Sequence, residues 1–185
     1  EMGNMSLVEL LLQGKTTTPI DLVKGLPGND TAKAETIENN LQHEIVKKMS
    51  SNSVYYGKLS EMLKKIIMQR KIEAMSYEEY LRQVVELAEA ILHPETSGSY
   101  PDEIKDSAAR RALYDYFEQN VELTIDVDGA IRISIQPEWK RNFQKQQRIR
   151  LAIYKKLLLH SYSEDKATEE TNNVFDIAQR QEEYD

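Results

Sequence analysis

The chain has 185 residues, with 40% hydrophobic and 30% charged residues, few glycines (7) and prolines (5), and a formal net charge of −7. This balance is typical of a soluble helical protein of one domain or two small subdomains, and the absence of cysteine excludes disulfides, thiolate metal sites and cysteine nucleophiles. No apolar run approaches the roughly 18–20 residues that cross a bilayer, so we expect a cytoplasmic protein with no membrane partner.

Residues 1–29 are predicted to form a short N-terminal helix and a connector. The helix covers residues 6–13 (SLVELLLQ) and ends at Gly14, because glycine tolerates the left-handed turn that follows a helix. The connector contains prolines and glycines. It ends where Asp30 or Thr31 can accept a hydrogen bond from the first turn of the next helix.

Residues 30–94 are predicted to form a three-helix subdomain that begins with a helical hairpin. In the first helix, which should reach about Met49, apolar residues recur every three or four positions. The polar run at residues 50–53 (SSNS) then interrupts the pattern, because short polar side chains bond their own backbone. The two apolar stripes are Ala34, Ile37, Leu41 and Ile45, followed by Tyr55, Leu59, Met62, Leu63, Ile66 and Ile67.

The third long helix has the clearest start signal. Ser76 and Glu79 form a capping-box pattern, in which each side chain bonds the backbone amide of the other residue. Pro94 ends the helix. Residues 93–100 (HPETSGSY) are rich in turn formers, so they are expected to be a boundary between subdomains or an exposed loop. The predicted buried side consists of Tyr77, Tyr80, Leu81, Val84, Ala88, Ile91 and Leu92.

Residues 95–162 are predicted to form a second, smaller helical subdomain, and residues 163–185 an acidic tail with a short terminal helix. Within the second subdomain, the apolar spacing predicts one helix over residues 107–120 and another over 142–160. In the tail, Val174 and Ile177 could dock the terminal helix. The apolar faces of the two earlier helices are Ala109, Ala112, Leu113, Tyr116 and Phe117, and Phe143, Ile149, Ala152, Ile153 and Leu157.

Residues 122–135 fit two different structures. Apolar residues alternate along this segment, and its central Asp-Gly dipeptide is a good hairpin turn, which favours two strands. However, Leu123, Val127 and Ile131 are also spaced by four, as in a helix, and an isolated two-stranded hairpin is only marginally stable. On the residues alone, a β-hairpin and a helix both stay open.

No catalytic, cofactor or metal site is predicted in this chain. The histidines His43, His93 and His160 lie on different predicted elements and share no motif, so we assign them surface or capping roles. Residues 101–105 (PDEIK) contain the letters of a metal-dependent nuclease motif, but such sites take their carboxylates from separated strand positions, so we expect a turn or a helix cap here. The GxxxxGK[ST] phosphate loop is absent, and no small-molecule substrate is expected.

Basic residues crowd one segment of this otherwise acidic chain. A helix with such charges can neutralise DNA phosphates without reading the base sequence. It can also be a solvated face, or bind an acidic surface of the tail or of another subunit, and we favour this second interpretation. DNA is kept as a weak, secondary contact. The basic residues are Lys140, Arg141, Lys145, Arg148, Arg150, Lys155 and Lys156.

Several segments between Ala34 and Tyr184 are similar in amino-acid sequence to one known family. They are residues 35–41 (ETIENNL), 55–71 (YYGKLSEMLKKIIMQRK), 75–91 (MSYEEYLRQVVELAEAI), 123–132 (LTIDVDGAIR), Trp139, Asn142, 152–158 (AIYKKLL) and 174–184 (VFDIAQRQEEY). Together these segments resemble the C-terminal helical region of the R subunit of type I restriction enzymes. The R subunit is the large polypeptide that carries the nuclease and the DNA-translocating motor.

The resemblance implies an all-α fold in which residues 122–135 are helical: a helical hairpin, a third long helix and a smaller C-terminal helical group. It implies that the full-length polypeptide is an ATP-dependent site-specific deoxyribonuclease that uses ATP and Mg²⁺, with its active residues outside this chain. The chain itself would be a noncatalytic assembly module that anchors the motor to the methyltransferase subunit and the specificity core, and reaches DNA through that complex. The alternative is an autonomous DNA-binding helical module that uses the segment Lys140–Lys156.

Overall fold

The computed structural model describes residues 28–185, so the predicted helix at 6–13 and most of its connector lie outside the described residues. In the described part all regular elements are helices, which confirms the predicted all-α fold. Among these residues, no helix combines the length and the apolar character that a bilayer crossing requires.

The chain divides into two compact units. The described residues of the first unit are 28–49 and 55–99, and those of the second are 50–54 and 100–185. The division after Ser99 lies inside the turn-rich segment that the sequence indicated, where Gly98 has a φ of +70°. Glycine adopts this left-handed conformation without steric cost, so the chain can change direction there.

Three long helices form most of the first unit, in the order that the sequence predicted. The N-cap of the first helix is Asn29 and not Asp30 or Thr31, since the Asn29 side-chain oxygen accepts a hydrogen bond from the Ala32 amide at 2.9 Å. The helix therefore starts one residue earlier than the predicted caps allow. The helices are α1 (Asp30–Lys48), α2 (Ser53–Lys71) and α3 (Tyr77–Leu92), and a 3₁₀ turn (Pro94–Thr96) follows.

Helix α3 begins with half of the predicted capping box. The Ser76 hydroxyl accepts a hydrogen bond from the Glu79 amide at 3.2 Å. The Glu79 carboxylate instead accepts two hydrogen bonds from the Arg82 guanidinium, at 2.6 and 2.9 Å. The predicted Tyr77 and Leu92 are only partly buried. The buried face of α3 consists of Tyr80, Leu81, Val84, Leu87, Ala88 and Ile91.

A buried ion pair joins α1 to α2 in the first unit. The Arg70 guanidinium donates two hydrogen bonds to the Glu38 carboxylate, at 2.6 and 3.0 Å, and the two side chains are only 13% and 7% exposed. This fork geometry is the strongest form of side-chain ion pair. The Arg70 charge lies 5.8 Å from the centre of the Tyr80 ring, and the Tyr80 hydroxyl donates to the Ala34 carbonyl at 3.2 Å. The pair and the tyrosine thus connect all three helices.

The second unit contains five further helices and two 3₁₀ turns among its described residues. Helix packing joins α6 to α7 and α7 to α8, and α5 contacts both α6 and α8. Its core includes Leu113, Ile131, Trp139, Ile153 and Phe175, all of them at most 1% exposed. The helices are α4 (Asp102–Lys105), α5 (Ala108–Tyr116), α6 (Val121–Ser134), α7 (Phe143–Leu159) and α8 (Glu164–Gln179), with 3₁₀ turns at Trp139–Arg141 and Glu182–Tyr184.

The β-hairpin alternative for residues 122–135 is wrong, because this segment is helix α6. The Asn120 side chain accepts a hydrogen bond from the Leu123 amide at 3.0 Å and caps the helix. Spacing by four buries Leu123, Val127 and Ile131 on one face, whereas Ile133 is 88% exposed. The period-two alternation of apolar residues therefore does not correspond to a buried face, because some of these side chains are exposed to solvent.

The C-terminal segment differs from the expected acidic tail with a short helix. Helix α8 has 16 residues, and its Val174, Phe175 and Ala178 are completely buried. Asp165, Glu169 and Asp176 are exposed. The acidic composition of the segment therefore obscured the regular apolar stripe of the helix. Phe143, which was expected in the core, is 71% exposed. It is the first residue of α7 and does not continue the four-residue spacing of the buried residues Ile149, Ile153 and Leu157.

The Glu38–Arg70 pair gives a stability prediction. The variant Arg70→Met leaves the Glu38 carboxylate buried without a partner, and we expect it to lower the free energy of unfolding by about 3 kcal/mol. The double variant Glu38→Leu with Arg70→Met removes both charges and should recover most of that loss. Urea unfolding followed by far-UV circular dichroism measures the change, with Lys71→Met at an exposed neighbouring position as the control. Equal stability of Arg70→Met and the parent chain would contradict the role assigned to the pair.

Candidate functional site

The seven residues of the predicted basic segment lie in the second unit, and four of them bind other parts of that unit. The Lys140 ammonium donates to the Gln181 carbonyl at 3.1 Å and pairs with the Asp185 carboxylate. The Lys145 ammonium donates to the Pro137 carbonyl at 2.6 Å. Lys140 therefore binds the C-terminal residues, and Lys145 binds the turn before α7. Both ammonium groups have partners inside the unit.

The other two internal contacts hold α7 to its neighbouring helices. The Arg150 guanidinium donates to the Asn172 side-chain oxygen at 2.5 Å and lies 3.8 Å from the centre of the Phe175 ring, both on α8. The Lys156 ammonium is 3.7 Å from the Asp126 carboxylate of α6. Because these cations contribute to packing, they are not available to a ligand without loss of those contacts.

Three basic residues remain exposed and have no side-chain partner within residues 28–185: Arg141, Arg148 and Lys155. They are spaced by seven positions, which is close to two helical turns. Arg148 and Lys155 therefore point from the same side of α7, and Arg141 lies just before the start of this helix. The predicted basic segment is thus reduced to a short row of free cations.

Exposed leucines lie among these cations on α7. Leu151 is 52% exposed and lies three residues after Arg148 and four before Lys155, and Leu159 is 75% exposed and lies four residues after Lys155. Residues three and four apart share one side of a helix. We call Arg148, Leu151, Lys155 and Leu159 the outer face of α7. The opposite face of this helix is buried in the core of the second unit.

The second unit also contains a buried carboxylate that the sequence did not reveal. Asp128 is completely buried and accepts hydrogen bonds from Arg110 at 2.8 Å, Arg132 at 2.8 Å and the Tyr184 hydroxyl at 2.7 Å. Both carboxylate oxygens are engaged, so the group is satisfied as a structural anion. Burial, together with the Asp128 charge, raises the pKa of the Tyr184 hydroxyl.

Glu183 extends this network to the start of α5. Its carboxylate accepts hydrogen bonds from the Ser107 hydroxyl and the Ala108 amide, and from Arg132 at 2.9 Å. Burial alone would raise the pKa of the Glu183 carboxyl, but these hydrogen bonds outweigh burial and lower that pKa. The neighbouring Tyr184 carbonyl accepts a hydrogen bond from the Trp139 indole. The C-terminal residues are therefore bound to three separate elements of the unit.

The sequence analysis considered Asp128 only as part of a possible hairpin turn and did not identify this network. The available signal was a helical one: Asp128 and Arg132 are four residues apart, the spacing of a helical ion pair. Arg110 and Tyr184 are 18 and 56 residues away from Asp128. No local pattern links residues that far apart, because the fold alone brings them together.

The three histidines have the surface and capping environments that the sequence suggested. His43 is exposed, and the His93 imidazole is 3.2 Å from the Glu95 carboxylate. His160 follows α7, and its ring nitrogen lies 2.9 Å from Asp126. The hydrogen bond from His160, together with the nearby Lys156 charge, lowers the pKa of the Asp126 carboxyl.

The PDEIK segment forms a single helical turn. Lys105 donates to the Asp102 carboxylate at 2.7 Å, while Ile104 is buried and Asp102 itself is 89% exposed. The carboxylates thus point to solvent beside a lysine, as expected for a turn. In the part of the chain that the structure describes, no three His, Asp or Glu side chains are grouped so that they could hold a metal ion.

The first unit carries an open groove between α2 and α3. Met62, Ile66 and Leu87 contribute its apolar lining, and the groove has a volume of about 480 Å³. On one rim, Arg82 is paired with Glu79 and Glu86. This surface is therefore apolar with largely paired charges, unlike the outer face of α7, where the cations are free.

Comparison of the chain with protein-family models, with curated proteins and with solved structures finds no match. The resemblance to the R subunit of type I restriction enzymes therefore stays a prediction. The chemistry of the exposed faces and the buried networks supplies the remaining basis for a functional proposal.

The buried carboxylate network gives the second stability prediction. Asp128→Asn keeps the side-chain size but removes the charge that holds two guanidinium groups, so we expect a loss of about 3 kcal/mol in the free energy of unfolding. Trp139 is the single tryptophan of the chain and lies in the core of this unit. Its fluorescence during urea unfolding reports the change. Asp176→Asn, at an exposed position of α8, is the matched control, and a similar effect of both variants would contradict the assignment.

Glu183 gives a pH prediction. Because its pKa is lower in the folded chain than the ordinary value of 4.5, the stabilisation it contributes is present above pH 4.5 and is lost as the pH falls through the folded-state pKa. At neutral pH, the variant Glu183→Gln should have a free energy of unfolding about 1 kcal/mol lower than that of the parent chain. This difference should become smaller as the pH falls below 4.5. Unfolding curves from Trp139 fluorescence at several pH values test this, with Glu182→Gln as the exposed control. A difference that is constant across the acid range would refute the prediction.

Proposed function

We propose that this chain is a noncatalytic assembly module of the kind found in the C-terminal part of the R subunit of type I restriction enzymes. In this role it anchors an ATP-dependent DNA translocase and endonuclease to the methyltransferase and specificity core. The motor and nuclease lie in other parts of the full-length polypeptide. The proposal combines the sequence resemblance with the character of the exposed surface.

The observation that carries the proposal is the division of the basic segment. Four of its seven cations bind within the second unit, and two of the remaining three share the outer face of α7 with exposed leucines. Protein interfaces combine an apolar centre with a polar rim. A phosphate backbone, by contrast, gives leucine side chains little to contact. This composition favours a protein partner over bare DNA.

The number of free cations in the basic segment also limits the direct DNA affinity of that segment. Binding through about three phosphates gives a slope of log affinity against log salt of roughly −2.7, so a fourfold rise in salt weakens it only about 40-fold. Proteins that depend on phosphate contacts typically make 6–10 of them. Direct DNA binding through this segment is therefore weak and secondary, and in the proposed function DNA is reached through the complex.

The buried carboxylates support a noncatalytic role for the described residues. Glu38 accepts hydrogen bonds from Arg70 on α2 through both carboxylate oxygens. Asp128 accepts them from Arg110 on α5 and from Arg132 on its own helix α6, one on each oxygen. ATP and Mg²⁺, which the resemblance implies for the full-length protein, are not assigned to residues 28–185. No three His, Asp or Glu side chains of these residues are grouped so that they could hold a metal ion. We place the complex in the cytoplasm, where its DNA substrate lies.

One specific observation favours the alternative of an autonomous DNA-binding module. Arg141, Arg148 and Lys155 are exposed, have no partner among the described residues, and form a row with a seven-residue spacing. Such a row can follow a phosphate backbone. The alternative predicts a strong affinity for duplex DNA with no protein partner present.

Binding titrations separate the two functions. The purified chain is titrated with the methyltransferase subunit of a type I system from the same genome, and separately with duplex DNA, at low and at moderate salt. We expect saturable binding of the subunit at moderate salt and only weak DNA binding. Strong, salt-dependent DNA binding without capture of the subunit would contradict the assembly function. If the variant Arg141→Gln, Arg148→Gln and Lys155→Gln then lost that DNA affinity, the alternative would be supported.

A further inference from the structure

The outer face of α7 has the composition of a contact surface. Its two leucines are 52% and 75% exposed, while the buried residues Ile149, Ile153 and Leu157 of the same helix already supply its contact with the core. The leucines therefore lie outside the buried stripe of α7. They are not isolated either, because two free cations lie beside them on the same stripe.

The spacing of this face suits a second helix. Arg148, Leu151, Lys155 and Leu159 follow one another at intervals of three, four and four residues, so all four side chains stay on one side of the helix. The stripe extends over twelve residues, whose eleven steps of about 1.5 Å give roughly 16 Å along the helix axis. A helix of about three turns could lie along it, with apolar side chains against Leu151 and Leu159.

The charges of this face specify the partner. Arg148 and Lys155 have no counterion within residues 28–185, although the chain as a whole has a net charge of −7. The neighbouring Arg150 and Lys156 already have partners on α8 and α6. The face therefore presents uncompensated positive charge around apolar side chains, and an acidic, apolar surface is its complement.

Two other occupants fit this face less well. A symmetric pair of copies would place the same patch on both sides of the interface, so that Arg148 and Lys155 would face identical cations. Duplex DNA would satisfy the cations but leave both leucines in water. A helix from another protein, with carboxylates flanking its apolar residues, satisfies both features.

We propose that the outer face of α7 is the docking site for an acidic amphipathic helix of the methyltransferase and specificity core. This inference rests on the proposed assembly function and deepens it by naming the face and the chemistry of its partner. The cations contribute steering and orientation, and the leucines contribute the apolar contact.

The test uses the whole chain with the methyltransferase subunit as the probe. Leu151→Asp with Leu159→Asp, and separately Arg148→Glu with Lys155→Glu, should each weaken binding by tenfold or more, since a loss of about 1.4 kcal/mol corresponds to tenfold. Ile133→Asp is the matched control, because Ile133 is 88% exposed on α6 of the same unit. It should leave binding within about twofold. Trp139 fluorescence checks that each variant folds.

A second measurement identifies the partner segment directly. The chain has no cysteine, so Gln144→Cys introduces a single thiol that can carry a photo-crosslinker. Gln144 is exposed and lies one turn before Arg148 on the same side of α7, so all four residues of the outer face are kept. Irradiation of the complex should join this position to one helical segment rich in Asp and Glu. Crosslinks to a basic segment, or to a second copy of the chain, would overturn the proposal.

The possible outcomes separate this inference from the proposed function. If the subunit binds and all the face variants bind equally well, the docking site is elsewhere and only the present inference fails. If the unmodified chain does not bind the subunit at all, both fail. Self-association that is abolished by Leu151→Asp with Leu159→Asp would also overturn the inference, since the occupant would then be a second copy.

Discussion

The carboxylate of Asp128 connects the parts of the second unit that are far apart in sequence. It lies in the interior on α6, where it accepts hydrogen bonds from Arg110 on α5, from Arg132 one turn further along α6, and from Tyr184 near the C-terminus. A buried anion is tolerated only when its hydrogen bonds are satisfied. The position of the last residues of the chain is therefore fixed by an electrostatic requirement as well as by apolar packing.

In the first unit the buried Glu38 carboxylate likewise has its hydrogen bonds satisfied, by Arg70. The Arg70 guanidinium also lies against the Tyr80 ring. In both units arginine side chains form ion pairs with buried carboxylates of the same unit. Lys140, Arg150 and Lys156 also contact other residues of the second unit, at the edge of its core. In the basic segment only Arg141, Arg148 and Lys155 are left without an internal partner among residues 28–185, and the two on α7 lie beside exposed leucines. This distribution underlies the proposal of a protein contact.

Local patterns predicted much of the fold. Spacing by three and four located α1 to α3, and Ser76 marked the start of α3, because these signals lie within a few residues of one another. The same rules left α6 ambiguous, because its sequence fits both the two-residue period of a strand and the four-residue spacing of a helix. They also placed Phe143 in the core, although this residue precedes the buried stripe of α7. The networks around Asp128 and Glu38 were not predictable, because partners such as Arg70 and Tyr184 meet only in the folded chain. For the candidate site, the sequence identified all seven cations, but only their tertiary contacts show which of them are free.

The most direct test of the account is hydrogen–deuterium exchange of the whole chain with and without the methyltransferase subunit. The account predicts slower exchange of the α7 amides, residues 143–159, on addition of the subunit, while the amides of the exposed end of α6 exchange as before. Duplex DNA alone should leave the exchange of α7 unchanged. Slower exchange of α7 with DNA alone, and no change with the subunit, would contradict the assignment of this chain as an assembly module.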